Sequence, residues 1–120
     1  RPWPSTGGCG PAPRRPAPGP RKSNVQLGLQ MHARFATKVE AMGGSRASTY
    51  MRCGGRRCMP DGYNRFGAPM ELKPRNTAAI RRGEAQLRRY EVAMNRVREG
   101  ELWTYHRTIF GHMKFTQVRR

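Results

Sequence analysis

Cys53 and Cys58 have four residues between them and His106 and His112 have five, so a Cys-Cys-His-His set of the kind that holds zinc can be drawn. Cys9 is left over, and the histidines stand among aromatic residues that serve packing, so no metal is assigned. Free thiols in a reducing compartment account for the cysteines first, with a Cys53–Cys58 disulfide ranked third, behind the zinc set. The acids are Glu40, Asp61, Glu71, Glu84, Glu91, Glu99 and Glu101. They fall mostly on expected helix surfaces, and no His pairs with Ser, Cys or Asp at a catalytic spacing. The glycines form neither a P-loop nor a dinucleotide fingerprint. The inventory predicts a protein that is not an enzyme and uses no cofactor.

The other chemistry available is ionic. Twenty-four Lys and Arg, twenty of them Arg, oppose seven Asp and Glu, a formal charge of +17 in 120 residues. Such a chain repels itself unless a polyanion neutralises it. The planar Arg fork grips two phosphate oxygens at once and tolerates close contact. Residues 1 to 30 carry five cations and no acid, 31 to 70 seven against two, 71 to 100 eight against four, and 101 to 120 four against one. Every segment is positive, which suits a chain threading through a large RNA better than one with a single patch.

The candidate RNA contacts fall in three groups. Arg14, Arg15, Arg21 and Lys22 sit among prolines and glycines in an N-terminal arm, and Arg52, Arg56 and Arg57 flank the glycine pair Gly54-Gly55. Arg81, Arg82, Arg88, Arg89 and Arg96 recur at seven-residue intervals, which returns a helix almost to its starting face. That spacing makes a ladder able to follow a phosphate backbone, with Glu84 placed to pair with Arg88 one turn on.

The elements expected to position these groups are mainly helical. Residues 1–24 read as an extended basic Pro/Gly-rich arm. Residues 25–44 read as a short amphipathic segment, helical from about Met31 to Met42. Its basic, acid-free start is faintly like a transit peptide, although a short basic surface helix explains it better. Residues 45–74 read as a Gly/Pro-rich loop region with a turn signal at Pro60-Asp61-Gly62. Residues 75–120 read as a helical hairpin. Asn76 or Thr77 caps a long helix reaching about Glu99, since Ile80, Gly83, Leu87, Tyr90, Met94 and Val97 recur in steps of three and four. A short C-terminal helix, Glu101 to Phe110, then brings Trp103, Tyr105 and Phe110 to dock on a neighbouring protein. The expected fold is therefore mainly α with extended and irregular segments and no independent large core.

No stretch is long and apolar enough to cross a bilayer, and no secretory signal core is present. A start at Arg1 suits a processed product or part of a longer chain. Together these features predict a structural rRNA-binding subunit of a large ribonucleoprotein, a mitochondrial ribosomal protein before a plastid one, with rRNA and neighbouring ribosomal proteins as partners. The alternatives are an Arg-rich scaffold meeting acidic protein inside axonemal microtubules, or an accessory subunit of a respiratory complex.

Overall fold

The computed structural model describes residues 23–119. It is an α+β fold: α1 (Asn24–Ala41), β1 (Met51–Cys53), β2 (Arg56–Cys58), β3 (Gly62–Tyr63), β4 (Pro69–Pro74), α2 (Thr77–Ala93), β5 (Glu101–Arg107) and β6 (Met113–Arg119). Strands β3-β4-β5-β6 form one sheet in that order, and β1-β2 form a separate two-stranded hairpin. Strands β4 and β5 run parallel, joined by α2, while β3 and β6 flank them antiparallel. No helix among the described residues is long and apolar enough to cross a membrane.

The two helices cover opposite faces of the sheet. Ser23 caps α1 in a reciprocal box with Gln26, and the helix buries Met31, Phe35 and Val39 at helical spacing. Those three meet Met70 and Leu72 of β4 and Tyr105 of β5. Phe35 also packs against Trp103 and Phe115, at ring separations of 5.9 and 5.5 Å. On the other face Leu87 and Tyr90 of α2 meet Leu102 of β5 and Cys53 of β1. Gly83 lets this helix lie close: an added Cβ there would stand 2.7 Å from Leu102 Cδ1 and 2.9 Å from Lys73 Cγ.

Several expectations are corrected. The fold is not mainly α, because residues 45–74 hold four strands and the expected C-terminal helix is strand β5. Leu102, Trp103 and Tyr105 suggested a helix because apolar residues follow one another closely. A parallel strand covered on both faces has the same appearance, since successive side chains all meet a core. The long helix stops at Ala93 instead of near Glu99. Asn95 and Arg98 then turn with φ of 55° and 58°, and the buried Glu91 carboxylate accepts the Gly100 backbone N–H at 2.7 Å, drawing the chain back to the sheet.

Cys53 and Cys58 are joined by a disulfide, so neither is the free thiol expected first nor a zinc ligand. The bridge closes the turn made by Gly54 and Gly55, whose φ values of 59° and 84° favour glycine. An isolated two-stranded hairpin is marginal in water, so the bridge and the packing of Cys53 under α2 hold it in place. Loop-closure entropy for so short a ring puts the bridge at about 2 kcal/mol. Reducing it with a dithiol lowers the denaturation midpoint accordingly. An unchanged midpoint would mean that packing alone fixes the hairpin.

Candidate active site

The edge of β4 gathers acids and bases from four elements. Strand β3 is only two residues long, and Asp61 stands just before it, its N–H bonded to Met70 O at 2.9 Å. Its carboxylate then takes the place of the next backbone acceptor: Oδ2 accepts the Leu72 N–H at 2.7 Å. Asp61 is thus fixed where the ladder ends. From α1, His32 Nε2 approaches Asp61 Oδ1 at 3.4 Å, while its Nδ1 bonds Gly28 O at 2.7 Å. The hydrogen bond to Asp61 dominates over partial burial and raises the imidazole to about 9, so His32 is a cation at neutral pH.

Glu71 and Lys73 alternate along β4 and so point to the same face, the one beneath α2. Glu71 Oε2 lies 3.2 Å from Lys73 Nζ, with the carboxylate side chain only 5% exposed. Its Oε1 is buried without a hydrogen-bond partner. Burial, and then the Asp61 charge, push this carboxyl up to about 8, with Lys73 opposing. At neutral pH Glu71 therefore holds its proton. Tyr90 of α2 adds a phenol whose O–H donates to Met59 O at 3.3 Å. Burial, with Glu71 and Asp61 nearby, raises its pKa. Gln86, one helical turn earlier, has a buried Oε1 with no partner.

Beside this edge a cleft of about 420 Å³ is lined by Tyr50, Arg56, Arg57, Met59, Gln86, Arg89 and Tyr90, with the disulfide at one wall. The structure thus brings together Arg56, Arg57 and Arg89 from the expected nucleic-acid contacts. Arg52 is exposed on the hairpin, and Arg81 and Arg82 are exposed on the first turns of α2. Arg88 faces two neighbouring clefts. The ladder does not reach Arg96, which lies beyond the helix and pairs with Glu99 at 2.8 Å. Glu84 pairs with Arg119 at 3.7 Å, not with Arg88. Arg14, Arg15, Arg21 and Lys22 lie outside the described residues.

The expected docking residues divide. Trp103 and Tyr105 belong to the α1 face of the core, whereas Phe110 is exposed on the turn between β5 and β6. His106 and His112 flank that same turn, and among the described residues no group of three or more His, Cys, Asp or Glu is placed to hold a metal. The residues missed from the sequence are Asp61, Glu71, Lys73, His32 and Tyr90. The available signal was the pattern Pro60-Asp61, then Glu71-Leu72-Lys73 ten residues on, with acid and base alternating at strand period.

The carboxylates fit a hard divalent cation by their own chemistry. Magnesium-type ions use one or two carboxylates and complete their shell with water and substrate oxygens, so three protein ligands are not required. A carboxyl kept neutral by burial and a neighbouring carboxylate, with one oxygen unpartnered, ionises more readily when a cation binds at the pair.

The family model for restriction endonuclease fold toxin 9 matches residues 20–110. That match spans α1 through β5 and contains every residue of the β4-edge site. It overturns the expectation of a mitochondrial ribosomal protein acting as a structural rRNA-binding subunit, together with the axonemal and respiratory-complex alternatives. It also conflicts with the expectation that the chain is not an enzyme. No curated protein and no solved structure matches the chain. On the residues it shares with the family model, the chain belongs to the restriction endonuclease fold toxins of type 9.

Proposed function

We propose that this protein is a nuclease that hydrolyses phosphodiester bonds at the β4 edge. The observation that carries the reading is the meeting of Asp61, Glu71 and Lys73 beside an arginine-lined cleft, within a chain of this family. Asp61 and Glu71 would hold a divalent cation, which when bound supplies Lewis-acid and charge-neutralising chemistry for phosphoryl transfer. Lys73 places a fixed ammonium on the same face, where it can meet the negative charge that develops on the phosphoryl oxygens. Its position is set twice, by the Glu71 carboxyl at 3.2 Å and by the tight approach of Gly83 to its stem. His32 holds Asp61 from the α1 side and the Leu72 N–H holds it from the strand, so the carboxylate cannot swing away. Gln86 and Tyr90 wall the adjoining cleft from α2.

The overall charge of +17 serves the same end, attracting a polyanionic substrate and speeding its encounter. Labelled single- and double-stranded DNA and RNA, incubated with the purified chain, test the reading. Cleavage of at least one of them is expected with magnesium or manganese, and none in EDTA. Equal cleavage in EDTA, or no cleavage of any of the four substrates, would overturn it.

A further inference from the structure

We propose that the cleft between the β1–β2 hairpin and α2 is a subsite for the nucleic-acid strand flanking the cleaved bond. There Arg56, Arg57 and Arg89 take consecutive backbone phosphates and Tyr50 meets a base. This inference rests on the nuclease reading but concerns a different part of the surface, with its own observations.

The first observation is charge without compensation. Arg56, Arg57 and Arg89 line one cleft of about 420 Å³, and among the described residues none of them forms an ion pair with an acid. Three exposed guanidinium groups that line one concavity without an acid partner present a common positive field to an anion. The second is an exposed aromatic with a cation already placed on it: the Arg57 guanidinium lies 4.6 Å from the ring centre of Tyr50, which is 59% exposed. A base stacked on such a ring is worth about 1–3 kcal/mol and demands no particular sequence. The third is Gln86, whose Oε1 is buried in the cleft wall without a partner. An unsatisfied acceptor there suits a ligand that brings donors, as the sugar hydroxyls and base amines of a nucleotide do.

Connectivity ties this cleft to the β4 edge. Cys58 is bonded to Cys53, and the chain runs from it through Met59 and Pro60 directly into Asp61. Tyr90 lines the cleft and donates to Met59 O at 3.3 Å. A strand held on the hairpin is thereby registered to the carboxylates by a rigid path of a few residues.

The test is binding, kept separate from cleavage. Anisotropy titrations with a labelled oligonucleotide in EDTA compare the wild type with a triple variant, Arg56→Gln, Arg57→Gln and Arg89→Gln. A control triple, Arg34→Gln, Arg65→Gln and Arg98→Gln, removes the same charge from exposed positions outside this cleft. Each phosphate that the protein ceases to neutralise reduces the slope of log affinity against log salt by about 0.7 to 0.9. The cleft triple is expected to lose about two to three units of slope and about 10- to 1,000-fold in affinity at low salt, with the control losing under about one unit. Tyr50→Leu is expected to weaken binding about fivefold or more while leaving the slope unchanged. Equal losses in the two triples, or an unchanged Tyr50→Leu affinity, would overturn the subsite and leave cleavage by the wild type untouched. Failure of the nuclease reading shows differently, as arginine-dependent binding without cleavage in magnesium.

Discussion

Glu71→Gln is expected to lower phosphodiester cleavage at least about 1,000-fold and at the same time to make the metal-free protein more stable above neutral pH. The two effects have one origin. Glu71 is buried beside Asp61, and its carboxyl is held up at about 8, so the folded state keeps a proton that the unfolded chain releases near 4.5. Between those values the native protein binds more protons than the unfolded one. Stability therefore falls as pH rises, at up to about 1.4 kcal/mol per pH unit, and levels off above pH 8. Gln keeps the shape and a donor and acceptor pair but has no charge to bury. The stability difference between variant and wild type in EDTA is expected to be small at pH 5, to widen to pH 8 and then to stay constant. At its plateau it amounts to several kcal/mol, on the order of 15 °C or more in Tm for a domain of this size, at about 4 to 8 °C per kcal/mol. Lys73→Met tests the other half of the pair, with an expected loss of about 100- to 1,000-fold in cleavage and no gain in stability near pH 5. A Glu71→Gln protein that cleaves at wild-type rate would remove the carboxylate from the chemistry. One with the wild-type dependence of stability on pH would show that Glu71 is not the titrating group.

The helical part of the fold was legible in the sequence because its signals are local. Gly83, Leu87 and Tyr90 lie on the predicted apolar stripe and are residues that α2 buries, and Asn76 caps the helix, its side chain accepting the Ala79 N–H at 2.8 Å. Ser23 and Gln26 also mark the start of α1, seven residues before the expected helix, yet the apolar residues at its beginning alternate with the spacing of a strand. The sheet was hidden for a different reason. Strands β1, β2 and β3 are three, three and two residues long, and β4 is Pro-Met-Glu-Leu-Lys-Pro, with a proline at each end and two charges within it. Local propensity argues against such strands, and they exist because α1 and α2 close on both faces and β5 supplies a parallel partner. The site was lost along with the sheet. Alternation of Glu71 and Lys73 means one shared face only in an extended strand, and Asp61 looks like a turn residue until β4 is placed opposite it. The arginine excess raised the expectation of a polyanion. It said nothing of what would be done to that polyanion, because the groups that could act on it are five ordinary residues drawn from distant segments.

Magnesium binding is expected to release close to one proton per ion near pH 7, and its apparent affinity to rise about tenfold per pH unit between roughly pH 5.5 and 8 before flattening. A divalent cation held by Asp61 and Glu71 requires both carboxyls ionised, whereas the free protein holds Glu71 neutral up to about 8. Each step of pH below that value therefore costs the ion a proton it must displace. His32 contributes little over this range, because its hydrogen bond to Asp61 keeps it protonated up to about 9. Its own effect comes later and has the opposite dependence on metal: the stabilising imidazolium–carboxylate pairing is fully present below 6.5 and fades as pH passes through 9, loosening Asp61 in the metal-free protein. Calorimetric titration with magnesium in two buffers of different protonation enthalpy measures the proton count directly. The expected count is near one at pH 7 and near zero at pH 9, and Glu71→Gln should abolish the pH 7 release. A count of zero at pH 7 would mean that the cation does not bind through Glu71. A count near two would mean that it displaces the His32 proton as well, making the imidazole part of the metal-linked switch.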